Sequence, residues 1–261
     1  MGLLAHRTAT LIGYTRALVG REPQILATSG GMNLTGRGPY QWRFGGLIRY
    51  ALELADVRRP KVCFMATATG DDDSRLRGCY AASSGEDVEA SHVALFPMPS
   101  VSDVRAHLLG QDVVWVGGGS VVNLLAVWRA HHIDEILREA WEAGVVLGGV
   151  SAGSICWHVG GPTDSFGPSL RPITDGLGLL PYGNGVHYDA EPERRPLLHE
   201  LVSSGTLPRS YATDDGVGLH YVRTEMREAV SELPGRFAWR IDPDGKSGVS
   251  EVSLPTRLLE G

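Results

Sequence analysis

The sequence contains few cysteines, no long apolar run and no cluster of basic residues, and each of these features excludes a class of protein. The three cysteines, Cys63, Cys79 and Cys156, are widely spaced in 261 residues and form no CxxC pair. A disulfide framework, a cysteine-ligated zinc site and a redox pair are therefore disfavoured, and a reducing compartment fits best. No apolar run approaches the roughly 18 to 20 residues that cross a bilayer, and we read no signal peptide. We expect a soluble, cytoplasmic protein that does not bind membranes.

The charge of the chain argues against a nucleic-acid partner. Formal net charge is -6, and the 24 Lys and Arg residues are scattered along the sequence, so no basic stripe is available to neutralise phosphates. The length and the 43% of hydrophobic residues are sufficient for one sizeable core. We therefore predict a single α/β domain over residues 1–261, in which residues 1–21 form an N-terminal extension without an assigned role. The sequence leaves a homodimer open.

Short apolar runs alternate with segments of helical periodicity along the first two thirds of the chain. Runs that are apolar along their whole length are typical of buried parallel strands with helices on both faces of the sheet. The sequence thus predicts a doubly wound, mostly parallel, flavodoxin-like sheet. Shorter pieces with Pro-Gly and Asp-Gly turn signals follow Tyr211 and predict an antiparallel C-terminal extension of the same domain. The predicted strands are residues 24–28, 61–67, 93–96, 112–116 and 145–150, followed by 217–222, 228–230 and 237–241.

The segment Gly149-Val150-Ser151-Ala152-Gly153 matches the pattern G-x-S-x-G. A predicted strand runs into it and a short helical segment follows, which is the context of a nucleophile elbow. Glycines flank the serine in such a turn because the strained backbone leaves no room for neighbouring Cβ atoms. We interpret Ser151 as a candidate nucleophile; the alternative is an ordinary serine in a glycine-rich turn.

A serine nucleophile needs a base, and the base needs an orienting acid. His187 follows a short extended run and stands among turn residues, so it is the candidate base; a surface histidine without a role is the alternative. Asp164 lies in a turn-rich stretch between Ser151 and His187 and is the candidate acid. The sequence does not exclude the other carboxylates of this region, which are Asp175, Asp189, Glu191, Asp214 and Asp215.

The triglycine Gly117-Gly118-Gly119 follows another predicted strand and precedes a predicted helix that begins near Ser120. Its backbone N–H groups, together with that of Ala152, can stabilise an oxyanion. A phosphate cradle is the alternative, but neither P-loop nor dinucleotide-binding spacing is present. We interpret the four tryptophans Trp115, Trp128, Trp141 and Trp157 as core residues rather than a substrate site.

These motifs, in this order, resemble the serine peptidases related to peptidase E (α-aspartyl dipeptidase) and, more remotely, cyanophycinase. The resemblance covers roughly residues 22 to 255 and implies a class I glutamine amidotransferase-like fold. It also implies Ser151 as nucleophile, His187 as base and Asp164 as orienting acid, with Gly118 and Ala152 in the oxyanion hole. Since Ser151 and His187 lie close in sequence, the triad would come from one contiguous stretch.

Two departures from the family pattern concern the substrate. Ser120 stands where peptidase E has an asparagine after the triglycine. The arginine that holds the substrate aspartate in that family has no direct match, because Glu191-Pro192-Glu193 stands there with Arg194 and Arg195 after it. Strict preference for Asp-X peptides is therefore not implied. The candidate substrate-binding residues are Gly119, Ser120, Glu191 and Arg194.

The sequence as a whole predicts a serine-type peptidase that hydrolyses dipeptides or short peptides without a metal or an organic cofactor. Two other readings stay open. One is an esterase or amidase of small molecules, which a carboxylate placed for a free α-amino group would argue against. The other is a non-catalytic binding module on the same fold, in which Ser151 or His187 would be misplaced.

Overall fold

The computed structural model describes residues 21–34 and 42–260. Most of the predicted N-terminal extension, residues 1–20, lies outside the described residues. The strands are β1 Gln24–Thr28, β2 Met32–Leu34, β3 Trp42–Phe44, β4 Lys61–Met65, β5 Glu89–His92, β6 Val113–Val116, β7 Val146–Val150, β8 Gly161–Thr163, β9 Arg171–Ile173, β10 Gly183–Gly185, β11 Ser210–Thr213, β12 Val217–Val222, β13 Glu225–Ser231, β14 Ala238–Pro243, β15 Val249–Leu254 and β16 Thr256–Leu258. The helices are α1 Gly46–Leu54, α2 Asp73–Ser83, α3 Val104–Leu109, α4 Val121–Ala130, α5 Ile133–Glu142, α6 Ala152–Ile155 and α7 Arg194–Ser203, and a 3₁₀ turn, Thr67–Thr69, follows β4.

The central sheet has eight strands in the order β16-β13-β12-β1-β7-β6-β4-β5. The five adjacent strands β1, β7, β6, β4 and β5 are parallel to one another, and β12 joins β1 in antiparallel orientation. The interior strands β6 and β4 are almost entirely buried because their residues are apolar on both sides of the chain. These features confirm the predicted α/β fold with a mostly parallel sheet.

Helices cover both faces of this sheet, and each face has its own core. On one face, Leu47 and Ile48 of α1 pack with Phe64 and Trp115 of the strands. On the other face, residues of α4, α5 and α6 pack against alternate residues of the same strands, such as Met65. This arrangement is the doubly wound one. None of the helices in the described residues is both long enough and apolar enough to cross a membrane.

The structure corrects two details of the predicted strand pattern. Residues 93–96 were predicted as a strand, but β5 is Glu89–His92, directly before them. The β5 segment is polar because it lies at the edge of the sheet, and the apolar Val93–Leu95 follows as a buried connection. The predicted antiparallel pieces also divide between two sheets: β12 and β13 extend the central sheet, whereas β14 belongs to a second sheet of order β10-β11-β14-β15.

The carboxyl ends of the parallel strands form one border of the central sheet, which we call the rim. The carboxyl ends of β1, β7, β6 and β4 lie here, because Thr28 pairs with Val150, and Val116 pairs with Gly149 and Met65. Since β12 is antiparallel to β1, it is the beginning of β12 that lies at the rim, with Gly218 opposite Thr28. Ligands of doubly wound sheets bind beyond this edge.

Candidate active site

Ser151 lies at the rim between β7 and α6 and has a strained backbone. Its φ is 57° and its ψ is -112°, which is a sparsely populated region that costs a non-glycine residue about 1–3 kcal/mol. A hydrogen bond from the Ser151 N–H to Thr28 O, 3.1 Å long, holds the turn against β1. Strand, strained serine and helix follow one another as a nucleophile elbow requires.

The glycines on either side of Ser151 are required by close backbone contacts. A Cβ atom at Gly149 would lie 2.4 Å from Gly153 O, and one at Gly153 would lie 2.3 Å from Val116 O. Both distances are too short for any side chain. The pattern G-x-S-x-G therefore reflects the packing of this turn against β6.

The triglycine loop brings an N–H donor next to Ser151. Gly117 N donates to Met65 O and Ser120 N donates to Ala68 O, each at 2.9 Å, which fixes the loop at both ends. A Cβ atom built at Gly118 would lie 3.2 Å from Ser151 Cβ. Within the described residues, the N–H groups of Gly118 and Ala152 have no protein acceptor. These two donors are available for a developing oxyanion beside the serine.

His187 lies at the rim, with its imidazole ring oriented by a carboxylate. Its Nδ1 is 2.6 Å from Asp215 Oδ1, and the ring is 24% exposed. A carboxylate on Nδ1 favours the tautomer with the proton on that nitrogen, which leaves Nε2 free to accept a proton. His187 also has a positive φ of 52°, so its backbone is strained like that of the serine.

Two consecutive residues at the end of β1 hold these groups together. Thr28 O accepts the N–H of Ser151, and Ser29 Oγ accepts the N–H of His187 at 3.0 Å. Ser29 O also accepts the N–H of Gly216, next to Asp215. The candidate nucleophile, the candidate base and the carboxylate that contacts the base are thus all attached to one short segment. The sequence analysis assigned no role to Ser29.

The carboxylate that contacts His187 differs from the candidate acid of the sequence analysis. Asp164 is exposed, and within the described residues its carboxylate has no hydrogen-bond partner. Asp215 contacts His187 instead, because the turn before β12 reaches the rim through the antiparallel pairing of β12 with β1. The carboxylate beside His187 thus comes from outside the stretch between Ser151 and His187. Asp215 was among the carboxylates that the sequence left open.

The neighbours of Asp215 explain why this aspartate faces the histidine. Asp214 accepts hydrogen bonds from Phe237 N and Trp239 Nε1, both at 2.9 Å. Asp189 Oδ1 accepts the N–H of Asp215 at 2.8 Å. The preceding aspartate thus anchors the turn to β14, and Asp189 fixes the backbone of Asp215.

The proposed substrate-binding residues have other contacts. Ser120 Oγ accepts the N–H of Asn123 at 3.2 Å and caps α4. Arg194 is 2% exposed and donates to Glu191 Oε2 at 2.7 Å and to Pro162 O at 2.8 Å. The guanidinium of Arg194 thus lies inside the protein, engaged by these two acceptors. Gly119 remains at the rim, with a φ of 138°.

Arg195, the other arginine of this segment, is also occupied. Its guanidinium lies over the rings of Tyr188 and Trp239, at 4.4 and 4.5 Å from their centroids, and pairs with Glu251. Neither arginine after His187 is free for a substrate carboxylate.

His158 is close to Ser151 in sequence but belongs to the core. It is fully buried, its Nδ1 lies 2.9 Å from Ser154 O, and burial lowers its pKa to about 4. Its neighbour Ser154 donates to Asn184 Oδ1 at 3.0 Å, which ties α6 to β10. These contacts fix the helix after Ser151 to the strand before His187. Within residues 21–34 and 42–260, no group of three His, Cys, Asp or Glu side chains is arranged to hold a metal ion.

Comparisons with known proteins agree with this geometry. The model of peptidase family S51 matches residues 34–229, which include Ser151, His187 and Asp215. The chain is 40% identical to the uncharacterised peptidase YgaJ of Bacillus subtilis over 82% of this chain and 91% of the relative. It is 29% identical to peptidase E of Streptomyces coelicolor over 62% of this chain and 70% of the relative.

The fold is also found among solved structures. A crystal structure of a candidate peptidase E from Listeria monocytogenes superposes with a TM-score of 0.57 at 18% identity, over 79% of this chain and 97% of that chain. At this identity the likeness concerns the fold. Together with the family match, it leads to one assignment: the chain belongs to peptidase family S51 and is a peptidase E-like hydrolase.

Proposed function

We propose that this peptidase is a serine-type enzyme that hydrolyses dipeptides or short peptides through an acyl-enzyme on Ser151. One observation carries the proposal. The strained serine and the hydrogen-bonded pair of His187 and Asp215 are attached to the consecutive residues Thr28 and Ser29. A nucleophile, a base and an orienting acid on one rim are the parts that acyl transfer needs.

The reaction follows from the roles of these groups. Ser151 Oγ attacks the peptide carbonyl carbon while His187 Nε2 takes the hydroxyl proton, and Asp215 stabilises the imidazolium that forms. The N–H groups of Gly118 and Ala152 receive the negative charge that develops on the carbonyl oxygen. His187 then gives its proton to the leaving amine. Water, activated by the same histidine, releases the acid product and restores Ser151.

An acidic depression lies beside the base. Asp164, Glu191 and Glu193 line it, and Glu191 N donates to His187 O at 2.9 Å, so the depression begins next to His187. This is the side of the leaving amine, and the Glu191 carboxylate is already paired with Arg194. The preference for a peptide over a neutral ester is therefore drawn from the family match.

Two further features bear on substrate and location. Arg194 and Arg195, the arginines nearest to His187 in the sequence after it, are both engaged, so we propose that strict Asp-X preference is absent. All three cysteines are free, which fits the reducing cytoplasm as the site of action.

Labelling with a fluorophosphonate probe tests the mechanism directly. We expect the wild type to be labelled and Ser151→Ala to be unlabelled. Ser120→Ala is the matched control, since this rim hydroxyl caps α4 and its loss costs about 1 kcal/mol of stability without affecting the nucleophile. Folded wild type that resists the probe would overturn the serine mechanism and favour a binding module.

A dipeptide panel tests the substrate class in the same preparation. We expect the wild type to hydrolyse at least one free dipeptide and Ser151→Ala to hydrolyse none. A probe-reactive enzyme that cleaves small esters but no peptide would contradict the proposed substrate and support the esterase reading.

A further inference from the structure

A cavity of about 220 Å³ lies next to Ser151, on the face of the sheet covered by α1 and α2. Its walls are largely apolar and include Met32, Trp42, Phe64, Met65, Trp115 and Val150. The sequence suggested that Trp115 is a core residue, and it is 2% exposed, but its indole also forms part of this wall. The triad does not use this space.

The cavity opens at the proposed oxyanion hole. Gly118 and Val150 both line it. Val150 immediately precedes the nucleophile, and a Cβ atom at Gly118 would lie 3.7 Å from Ser151 Oγ. A group bonded to a carbonyl carbon at Ser151 therefore needs to extend by only a few bonds to enter the cavity.

The volume of the cavity fits one side chain. A dry apolar cavity of about 150 Å³ accepts a benzene molecule, whereas pockets that enclose whole drug-sized ligands occupy about 300–1,000 Å³. At about 220 Å³, this space accommodates a leucine, methionine or phenylalanine side chain, and a complete dipeptide does not fit.

The polar groups of the wall do not favour a charged side chain. Cys79 is half-buried in α2, and burial raises the pKa of its thiol to about 12, so it stays neutral. Arg75 also lines the cavity, and its side chain is exposed, so its charge is screened by water. A carboxylate that entered among the apolar walls would lose its hydration without a buried donor to replace it.

The position of His187 decides which half of a peptide meets the cavity. The leaving nitrogen must face His187, because this residue protonates it, and the acyl half then extends to the other side of Ser151. Neither His187 nor Asp215 lines the cavity. The acyl half, whose carbonyl oxygen lies at Gly118, is the half beside it.

We propose that this cavity binds the side chain of the residue whose carbonyl group Ser151 attacks, and that it selects a neutral apolar side chain of leucine, methionine or phenylalanine size. The inference rests on the proposed serine peptidase function and adds its specificity. It assigns to the enzyme peptides that begin with an apolar residue.

A series of X-Ala dipeptides, with X as Gly, Ala, Leu, Met, Phe or Asp, tests the proposal. We expect kcat/KM for the best of Leu, Met and Phe to exceed those for Gly and Asp by at least about tenfold, since one added methylene in an apolar pocket changes kcat/KM by about 10- to 200-fold. Equal values across the series, or a preference for Asp-Ala, would overturn it.

Variants that fill the cavity link this preference to its walls. Cys79→Met projects a longer side chain into the space from α2 and should lower the ratio of kcat/KM for the large substrates to that for Gly-Ala at least about tenfold. Ala81→Met, on the same helix but outside the cavity lining, is the matched control and should leave the whole series unchanged. Ala66→Val fills the space from the end of β4 and repeats the test if Cys79→Met does not fold.

Fluorophosphonate labelling of the same preparations distinguishes failure of the proposed pocket from failure of the serine mechanism. Probe-reactive variants with an unaltered substrate series would reject the pocket and leave the serine peptidase intact. A folded wild type that does not react would reject both.

Discussion

Replacing Asp215 by asparagine is the most informative single change, because it tests the acid that the structure selects over Asp164. The variant keeps the shape of the side chain and removes its charge. We expect kcat/KM for the best dipeptide to fall by about 30- to 10⁴-fold, with a much smaller change in KM. The reason is that Asp215 acts on the imidazolium of His187, which forms only during the reaction.

The magnitude follows from the geometry of the pair. Two unit charges about 4 Å apart attract by about 4 kcal/mol at an effective dielectric constant of about 20. The Asp215 side chain is 42% exposed, and halving this energy for solvent screening leaves about 2 kcal/mol, or about 30-fold in rate. The asparagine amide can also donate to Nδ1 and impose the wrong tautomer, an effect that brings the loss to about 10⁴-fold in chymotrypsin-type proteases.

Asp164→Asn is the matched control for this experiment. Its carboxylate is exposed and does not contact His187, so we expect a change in kcat of less than about threefold, since surface substitutions away from special contacts are usually small in effect. Thermal unfolding of both variants checks that they are folded. If Asp164→Asn lost more activity than Asp215→Asn, the assignment of the acid from the structure would be refuted.

Three further predictions concern stability. Gly153→Ala should lose at least about 1–3 kcal/mol in urea unfolding, because its Cβ atom would lie 2.3 Å from Val116 O; wild-type stability would show that the turn can relax. Burial lowers the pKa of His158 to about 4 from an ordinary 6.5, so the unfolded chain binds a proton that the folded chain does not. Stability should therefore fall by about 3 kcal/mol as pH drops from about 6.5 to 4, and urea unfolding of His158→Gln across this range should lack that part of the slope; an unchanged slope would contradict it. Arg194→Lys should lose about 1–3 kcal/mol while the ratio of kcat/KM for Leu-Ala and Asp-Ala stays constant, whereas a shifted ratio would restore its predicted role at the substrate.

The fold was predictable from the sequence where burial and periodicity agree. Strands such as β6 are apolar throughout because helices cover both faces of the sheet. Strand β5 was misplaced because an edge strand need not be apolar, and the apolar residues beside it form a buried connection instead. Strand β10, Gly183–Gly185, contains two glycines, which weaken its local strand signal. Its pairing with β11 is decided by tertiary contacts.

Ser151 and His187 could be identified because their local sequences carry the chemistry, whereas Asp215 depends on the direction of a neighbouring strand. Parallel strands reach the rim with the residues that follow them, and candidate residues were sought there. An antiparallel strand reaches the same rim with the residues that precede it. The turn Asp214-Asp215-Gly216 directly precedes β12, and β12 runs antiparallel to β1. The signal was therefore present, but reading it required the orientation of β12, which no local pattern in residues 217–222 specifies.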